Sequence, residues 1–205
     1  MTALDRLMPK PRLVEIDRVE LAAPADRVWE RIRHHDLPQS LIVRTLFALR
    51  TLVSRVKNAD ATPAGVRLDR MVSSPNRPGF QILMDDPPRE IAVGAIGEVW
   101  RLDIPFVHVA GAYEFATFAE RGFVKVAWAI RTVALAGNRT RVELEVRVAA
   151  TDETSWRSFR RYFRVIGPAS RFIRRSLLRA LAREFGNATV PRLDDTHTGT
   201  WSPAA

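Results

Sequence analysis

Apolar positions change their period along the chain, and this change predicts the order of the elements. The segment "RLVEIDRVELAA", residues 12–23, is β-prone and stops at a proline, which predicts a first strand. Beyond the proline, Val28, Trp29 and Ile32 recur at helical spacing and predict a helix that stops near the pair of histidines at 34 and 35. A second helix is predicted from about Ser40, and residues 67–78 are assigned to a loop.

From Phe80 onward the period becomes two, which is typical of strands. Five strands are predicted: "FQILMDD", "REIAVGAIGEVW", "AYEFATFAE", "FVKVAWAIRTVAL" and "TRVELEVRVAAT". The short connections between them indicate antiparallel neighbours. Gly94 and Gly97 interrupt the second of these strands and predict a bulge or strong curvature. The last strand alternates valine or leucine with Arg141, Glu143, Glu145 and Arg147, which predicts one wet face.

The segment "SWRSFRRYFRVIGPASRFIRRSLLRALAREF", residues 155–185, predicts a long amphipathic helix. Asp152 or Thr151 can cap its start, and Pro168 predicts a kink. Seven apolar residues share one arc of the helix: Trp156, Phe159, Phe163, Ile166, Ile173, Leu177 and Leu181. Seven arginines share another arc, called here the arginine face: Arg157, Arg160, Arg161, Arg164, Arg171, Arg175 and Arg179.

A strand, two helices, a run of antiparallel strands and a long last helix follow one another as in the START-related helix-grip fold. The blocks "EIAVGAIGEVW", "EVRVAATD" and "FRRYFRVIGPASRFIRRSLL" resemble blocks in bacterial members of the SRPBCC superfamily, the polyketide cyclase/dehydrase and lipid-transport group. The resemblance covers residues 12–185. It implies an α+β helix-grip fold, in which a curved antiparallel sheet wraps around the C-terminal helix and encloses a cavity.

The implied cavity suits a hydrophobic or amphipathic small molecule that is lipid- or polyketide-like. The apolar arc of the last helix would face the strands across it. Candidate lining residues are Trp100, Tyr113, Trp128, Phe159, Phe163, Ile166 and Ile173. Every one of these side chains would also suit a filled core.

A cyclase or dehydratase using the same cavity is the alternative. Such an enzyme needs a general acid or base beside a polyketide carbonyl. The candidates are His108, Glu98, Tyr113 and Arg131. No metal-ligand spacing, dinucleotide fingerprint or nucleophile elbow occurs in the sequence, so we predict no metal site and no cofactor.

The positive charge is concentrated in the last helix. The formal net charge is +9. Residues 155–185 contain nine arginines and one glutamate, 9 − 1 = +8, so the rest of the chain carries 9 − 8 = +1. A solvated helix face is the leading interpretation of the arginine face. An anionic membrane surface or a protein partner is the alternative, and nucleic acid is not expected because no recognition motif appears.

The chain is predicted to form one domain, residues 12–186, with flexible tails at 1–11 and 187–205. It has no cysteine, nothing at its N-terminus resembles a signal peptide, and its most apolar helical stretch is too short and too charged to span a bilayer. A cytoplasmic location is therefore expected. The pattern does not indicate an oligomeric state.

Overall fold

The computed structural model describes residues 1–34, 74–76, 78–101 and 103–185. The helices in this part of the chain are α1 (Ala3–Leu7), α2 (Ala25–His34), α3 (Ala112–Thr117) and α4 (Glu153–Phe185). The strands are β1 (Leu13–Leu21), β2 (Gln81–Asp86), β3 (Glu90–Gly97), β4 (Phe106–Val107), β5 (Val124–Leu135) and β6 (Arg139–Ala150).

The strands form one antiparallel sheet with the order β1-β6-β5-β3-β2, and β4 pairs with the end of β3. The longest strands, β5 and β6, are joined by a tight turn at Gly137 and Asn138, both with positive φ. After β6 the chain forms α4, which packs against β1, β6 and β5. The predicted fold class, an α+β fold with an antiparallel sheet against a long C-terminal helix, is therefore confirmed.

Most predicted elements occur where the periodicity placed them. The first strand and the helix after it are β1 and α2, and four of the five later strands are β2, β3, β5 and β6. The helix predicted from Ser40, residues 67–73 and the tail at 187–205 lie outside the described residues. The short strand β4 and helix α1 were not predicted.

The segment "AYEFATFAE" is a helix, so the predicted strand is wrong. In α3, Phe115 is completely buried, and Phe118 packs one turn further on. This spacing of three belongs to a helix, whereas Tyr113 and Phe115, two residues apart, imitate the alternation of a strand. The carboxylate of Glu114 accepts a hydrogen bond from the backbone N–H of Ala110 at 2.6 Å, which ties the start of the helix to the preceding loop.

Gly94 does not form a bulge in β3. Its missing side chain leaves room for Phe115 of α3. A Cβ atom at this position would lie 3.0 Å from Cε2 of Phe115 and 2.6 Å from Cδ1 of Leu83. The pairing of β3 with β5 runs without a shift past both Gly94 and Gly97, and the irregularity lies in β2, between Ile82 and Met84. The glycine therefore serves a close approach of side chains on the face of the sheet that carries α3.

The N-terminal segment is part of the folded unit, contrary to the predicted flexible tail at residues 1–11. Thr2 and Asp5 form a reciprocal capping box at the start of α1. Ala3, Leu4 and Leu7 are at most 2% exposed, and they pack in the same apolar cluster as Phe115. The apolar residues of this segment recur at positions 3, 4, 7 and 8, which is a helical repeat too short to identify from the sequence.

The carboxylate of Asp5 connects α1 to the sheet and gives stability a pH dependence. Hydrogen bonds from the backbone N–H of Thr2 and from Arg147 lower the pKa of Asp5 from 3.8 to about 2. Because the folded pKa is the lower one, the carboxylate stabilises the native state above pH 3.8, and this contribution is lost as pH falls toward 2. Between these values we expect the free energy of unfolding to fall more steeply for the wild type than for Asp5→Asn in urea titrations. Parallel curves would contradict the assignment.

Helix α4 begins at a side-chain cap and runs without interruption to Phe185. Asp152 accepts hydrogen bonds from the backbone N–H of Ser155 at 2.9 Å and of Gly122 at 2.6 Å, which together lower its pKa. Asp152 is thus the capping residue of the predicted pair, and it also joins the helix to the turn before β5. The helix continues through Pro168.

Candidate ligand-binding site

The inner face of the sheet, defined here as the side toward α4, is mostly apolar. It presents Ile91, Val93 and Ala95 of β3, alternate residues of β5 from Val124 to Ile130, and alternate residues of β6 from Val142 to Val148. Two residues of β1 break the pattern. Glu15 and Asp17 lie on the same face as Leu13, Val19 and Leu21.

The two ends of α4 pack on the inner face in separate apolar clusters. Near its C-terminus, Leu177, Leu178 and Leu181 pack with α2 and with Trp128 and Ile130 of β5. Near its N-terminus, Phe159 packs with residues at the other end of the same strands and with the turn after β3: Val99, Val124 and Val148. The middle of the helix therefore crosses the sheet between two closed regions.

Two valines beneath the middle of α4 retain solvent-accessible surface. Val126 of β5 and Val146 of β6 are both half-buried and point to the inner face. Their neighbours along the same face are almost fully buried, at exposures of 0% for Val124, 3% for Trp128, 0% for Leu144 and 1% for Val148. A close-packed core seals the centre of its central strands. The exposed fraction of these two valines indicates that the side chains do not close the region between the sheet and α4 completely.

Phe163 forms the helix side of this space. It is half-buried and stacks on Phe159 with 5.3 Å between the ring centroids. Gly167 lies against the ring, because a Cβ atom there would be 3.0 Å from Cε1 of Phe163. The absence of a side chain at position 167 therefore lets the phenyl ring lie along the helix.

A buried ionic cluster borders the same space on the β1 side. Arg174, which is 2% exposed, donates from Nε to Asp17 at 2.7 Å, from Nη1 to the hydroxyl of Ser170 at 2.8 Å, and from Nη2 to Glu15 at 2.6 Å. Arg171 also binds Glu15, at 2.8 Å. Glu15 lies opposite Val146 in the strand register, so the cluster is adjacent to the accessible valines.

The ionic cluster changes the interpretation of the arginine face. Arg171 and Arg175 were grouped with the surface arginines, but they pair with Glu15 and Asp17 of β1. Arg157 pairs with Glu153 at the limit of an ion pair, 4.0 Å. Arg161, Arg164 and Arg179 are exposed as expected, whereas Arg160 is half-buried.

Most of the predicted lining residues lie on the side of the sheet that holds α4. Trp128, Phe159, Ile166 and Ile173 are buried, at exposures between 3% and 7%. Trp100 is half-buried in the turn after β3, in the cluster around Phe159. Tyr113 is the exception. It is 83% exposed on α3, which covers the opposite face of the sheet, so it cannot line the inner space.

The four candidate catalytic residues do not come together. Glu98 follows β3 and forms an ion pair with Arg101 at 3.3 Å, while His108 follows β4 at the same end of the sheet. Arg131 lies opposite Glu90 at the other end of β3, seven residues and therefore roughly 23 Å away. Arg131 also faces away from α4, and Tyr113 is on the surface. The expected acid–base group is not formed by these residues.

Glu143 and Glu145 lie on the outer face as predicted, yet neither side chain is exposed to water. Each glutamate is 6% exposed. Glu143 pairs with Arg18 and with Arg131, and Glu145 pairs with Arg147. Burial alone would lower the pKa of Arg131, but the hydrogen bond and the charge of Glu143 outweigh it and raise this pKa. Helices α1 and α3 cover the part of this face that β3 and β5 form, whereas Ile16 and Arg18 of β1 are exposed on it. The strand alternation could not reveal this cover.

Trp29 supplies a polar group that the sequence reasoning did not single out. It lies in α2, is 5% exposed, and packs in the cluster against which Val146 also packs. Its indole Nε1 is buried and has no hydrogen-bond partner in the part of the chain that the structure describes. A buried N–H without an acceptor costs about 1–3 kcal/mol, so an acceptor atom brought in by a ligand would stabilise this region.

Two features are absent from the described ranges. The described residues contain no group of three or more histidine, aspartate or glutamate side chains that could hold a metal ion. These residues are 1–34, 74–76, 78–101 and 103–185. In the same ranges, no helix combines the length and the apolarity that crossing a membrane requires.

Comparison with known proteins adds several solved structures. The chain is similar to CalU16 from Micromonospora echinospora, with 17% identity over 85% of this chain and 88% of that one, at a TM-score of 0.29. It is similar to a protein from Arthrobacter aurescens, with 14% identity over 91% and 92%, at 0.40. It is also similar to the Zhui aromatase/cyclase from Streptomyces sp. R1128, with 13% identity over 86% and 98%, at 0.29.

An aromatase/cyclase is thus among the matched structures. No family model matches the chain. No curated protein matches it either. The fold assignment rests on the strand order and the position of α4 in this chain.

Proposed function

We propose that the protein binds a hydrophobic or amphipathic small molecule, lipid- or polyketide-like, between the inner face of the sheet and α4. The observation that carries the proposal is the accessible surface of Val126 and Val146, whose neighbours along the inner face of β5 and β6 are almost fully buried. An apolar molecule placed there would remove this surface from water, at a gain of about 25 cal/mol per Å². Cavities that hold small molecules are of this mostly apolar kind.

Two polar features favour an amphipathic molecule over a pure hydrocarbon. The indole N–H of Trp29 lacks an acceptor in an apolar cluster that Val146 borders. Arg171, whose side chain is 35% exposed, holds Glu15 next to the same valine. A ligand with an acceptor oxygen at one end would match this distribution. Binding does not require a reaction, and the scattered positions of Glu98, His108, Tyr113 and Arg131 give the cyclase alternative no assembled acid–base group.

The proposal is tested by filling the space. We expect native mass spectrometry of the gently purified protein to show an adduct of small-molecule mass. We also expect the fluorescent probe 1-anilinonaphthalene-8-sulfonate to bind the native protein. Val126→Phe should weaken probe binding about tenfold or more, because the phenyl group occupies the site, and it should remove the adduct.

The matched control is Val133→Phe, which adds the same bulk to β5 on the opposite face. It should leave probe binding within about twofold of the wild type. If both variants bind the probe as tightly as the wild type does and no adduct is present, the inner space does not bind ligands and the proposal is wrong.

A further inference from the structure

The outward side of α4 carries exposed apolar residues as well as arginines. Val165 and Phe172 are 70% and 66% exposed. They are seven residues apart, so they lie on the same side of the helix, and the exposed Pro168 lies between them. We call this side, with the exposed arginines at positions 157, 161, 164 and 179, the outer stripe of α4.

The arginines of the outer stripe are separate from those that hold the helix to the sheet. Arg171, Arg174 and Arg175 form ion pairs with Glu15 and Asp17 of β1. Within the described residues, Arg161 and Arg164 form no ion pair with an acidic side chain, and the same holds for Arg179. The stripe therefore presents uncompensated positive charge on both sides of the apolar pair.

Shape and chemistry together suit a flat anionic surface. From position 157 to position 179 the stripe covers 23 residues, and its first and last residues are roughly 33 Å apart along the helix. A helix with cations flanking an exposed phenyl group and a branched aliphatic side chain can lie in a bilayer interface. Its apolar side chains then enter the boundary between headgroups and acyl chains, and its cations meet anionic lipids. Nucleic acid would also attract the arginines, but its phosphates provide no apolar surface for Val165 to contact.

We propose that the outer stripe of α4 docks the protein on the surface of an anionic lipid bilayer. Phe172 and Val165 enter the interface, and Arg161, Arg164 and Arg179 bind lipid headgroups. This inference does not depend on the ligand proposed above, because the stripe faces away from the sheet. It concerns attachment to the surface only, not insertion across the bilayer.

Flotation with phosphatidylcholine vesicles, with and without phosphatidylserine, tests the proposal. We expect the full chain to bind vesicles containing phosphatidylserine at least about tenfold more tightly than vesicles of phosphatidylcholine alone, and added salt should weaken this binding. The pair Arg161→Gln and Arg164→Gln, and separately the pair Val165→Ser and Phe172→Ser, should each weaken binding to the anionic vesicles about tenfold.

Two control variants remove similar groups from other surfaces. Arg121→Gln changes an exposed arginine in the turn before β5, and Tyr113→Ser changes the exposed aromatic residue of α3. Both should bind vesicles like the wild type. Equal binding to both vesicle types, or no effect of either outer-stripe pair, overturns the proposal. Binding of duplex DNA that is lost with the arginine pair, with no binding to anionic vesicles, would overturn it in favour of a nucleic-acid surface.

Discussion

Replacing Arg174 by methionine is expected to lower the free energy of unfolding by about 3–5 kcal/mol. The guanidinium group is 2% exposed and donates to Asp17, Glu15 and Ser170. Methionine fills part of the volume of the arginine side chain. It removes the positive charge and the hydrogen bonds that compensate the carboxylates of Glu15 and Asp17. Arg171 and Arg175 remain close, so we expect a value near the lower end of this range. Urea unfolding monitored by circular dichroism measures the change.

Arg179→Met is the matched control, because it makes the same substitution at an exposed position of the same helix. It should change stability by no more than about 0.5 kcal/mol. Adding Asp17→Asn to Arg174→Met should recover part of the loss, since it removes one of the uncompensated charges. Equal stability of Arg174→Met and the wild type would show that the ionic cluster does not hold α4 against β1.

Phe115→Ala is expected to cost about 3–5 kcal/mol, the range for a large aromatic residue removed from a core. Phe115 is completely buried between α3 and the outer face of the sheet, and its ring lies over Gly94. The ammonium of Lys125 lies 5.8 Å from the ring centroid and donates to the carbonyl of Ala116 at 2.9 Å, while burial lowers the pKa of this lysine. Removal of the ring leaves a cavity and weakens this arrangement.

Tyr113→Ala supplies the comparison for Phe115→Ala, because both change an aromatic residue of α3. Tyr113 is 83% exposed, so its replacement should alter the free energy of unfolding by no more than about 0.5 kcal/mol. Chemical denaturation of the two variants under the same conditions measures both changes in the free energy of unfolding. Losses of similar size would mean that α3 does not cover the sheet as described.

The sequence predicted the strands that alternate cleanly and failed where local patterns are short. β6 was predictable because an apolar side chain recurs at every second position from Val142 to Val148. The six residues of α3 fit either period, and the burial of Phe115 against the sheet, which favours the helix, involves residues that are distant in sequence. Helix α1 has five residues, and its burial depends on a sheet face that forms far away in sequence.

The candidate site was predictable in its apolar part and not in its polar part. The helical spacing of Phe159, Phe163, Ile166 and Ile173 correctly placed these residues on the side of α4 that faces the sheet. The ionic cluster was missed, although the sequence contains a signal for it. Glu15 and Asp17 occupy the same strand phase as Leu13, Val19 and Leu21, and two inward carboxylates require buried cations. The arginines that pair with these carboxylates are set by how α4 crosses β1, which the sequence does not show.

The most direct test of the account is to compare Val126→Phe with Val124→Phe, two residues apart on the inner face of β5. Val124 is sealed, so the larger side chain there should cost about 1–3 kcal/mol of unfolding free energy by overpacking. Val126 borders open space, so Val126→Phe should stay within about 1 kcal/mol of the wild type. An equal and large loss in both variants would contradict the account, because it would mean that side chains already fill the space between the sheet and α4.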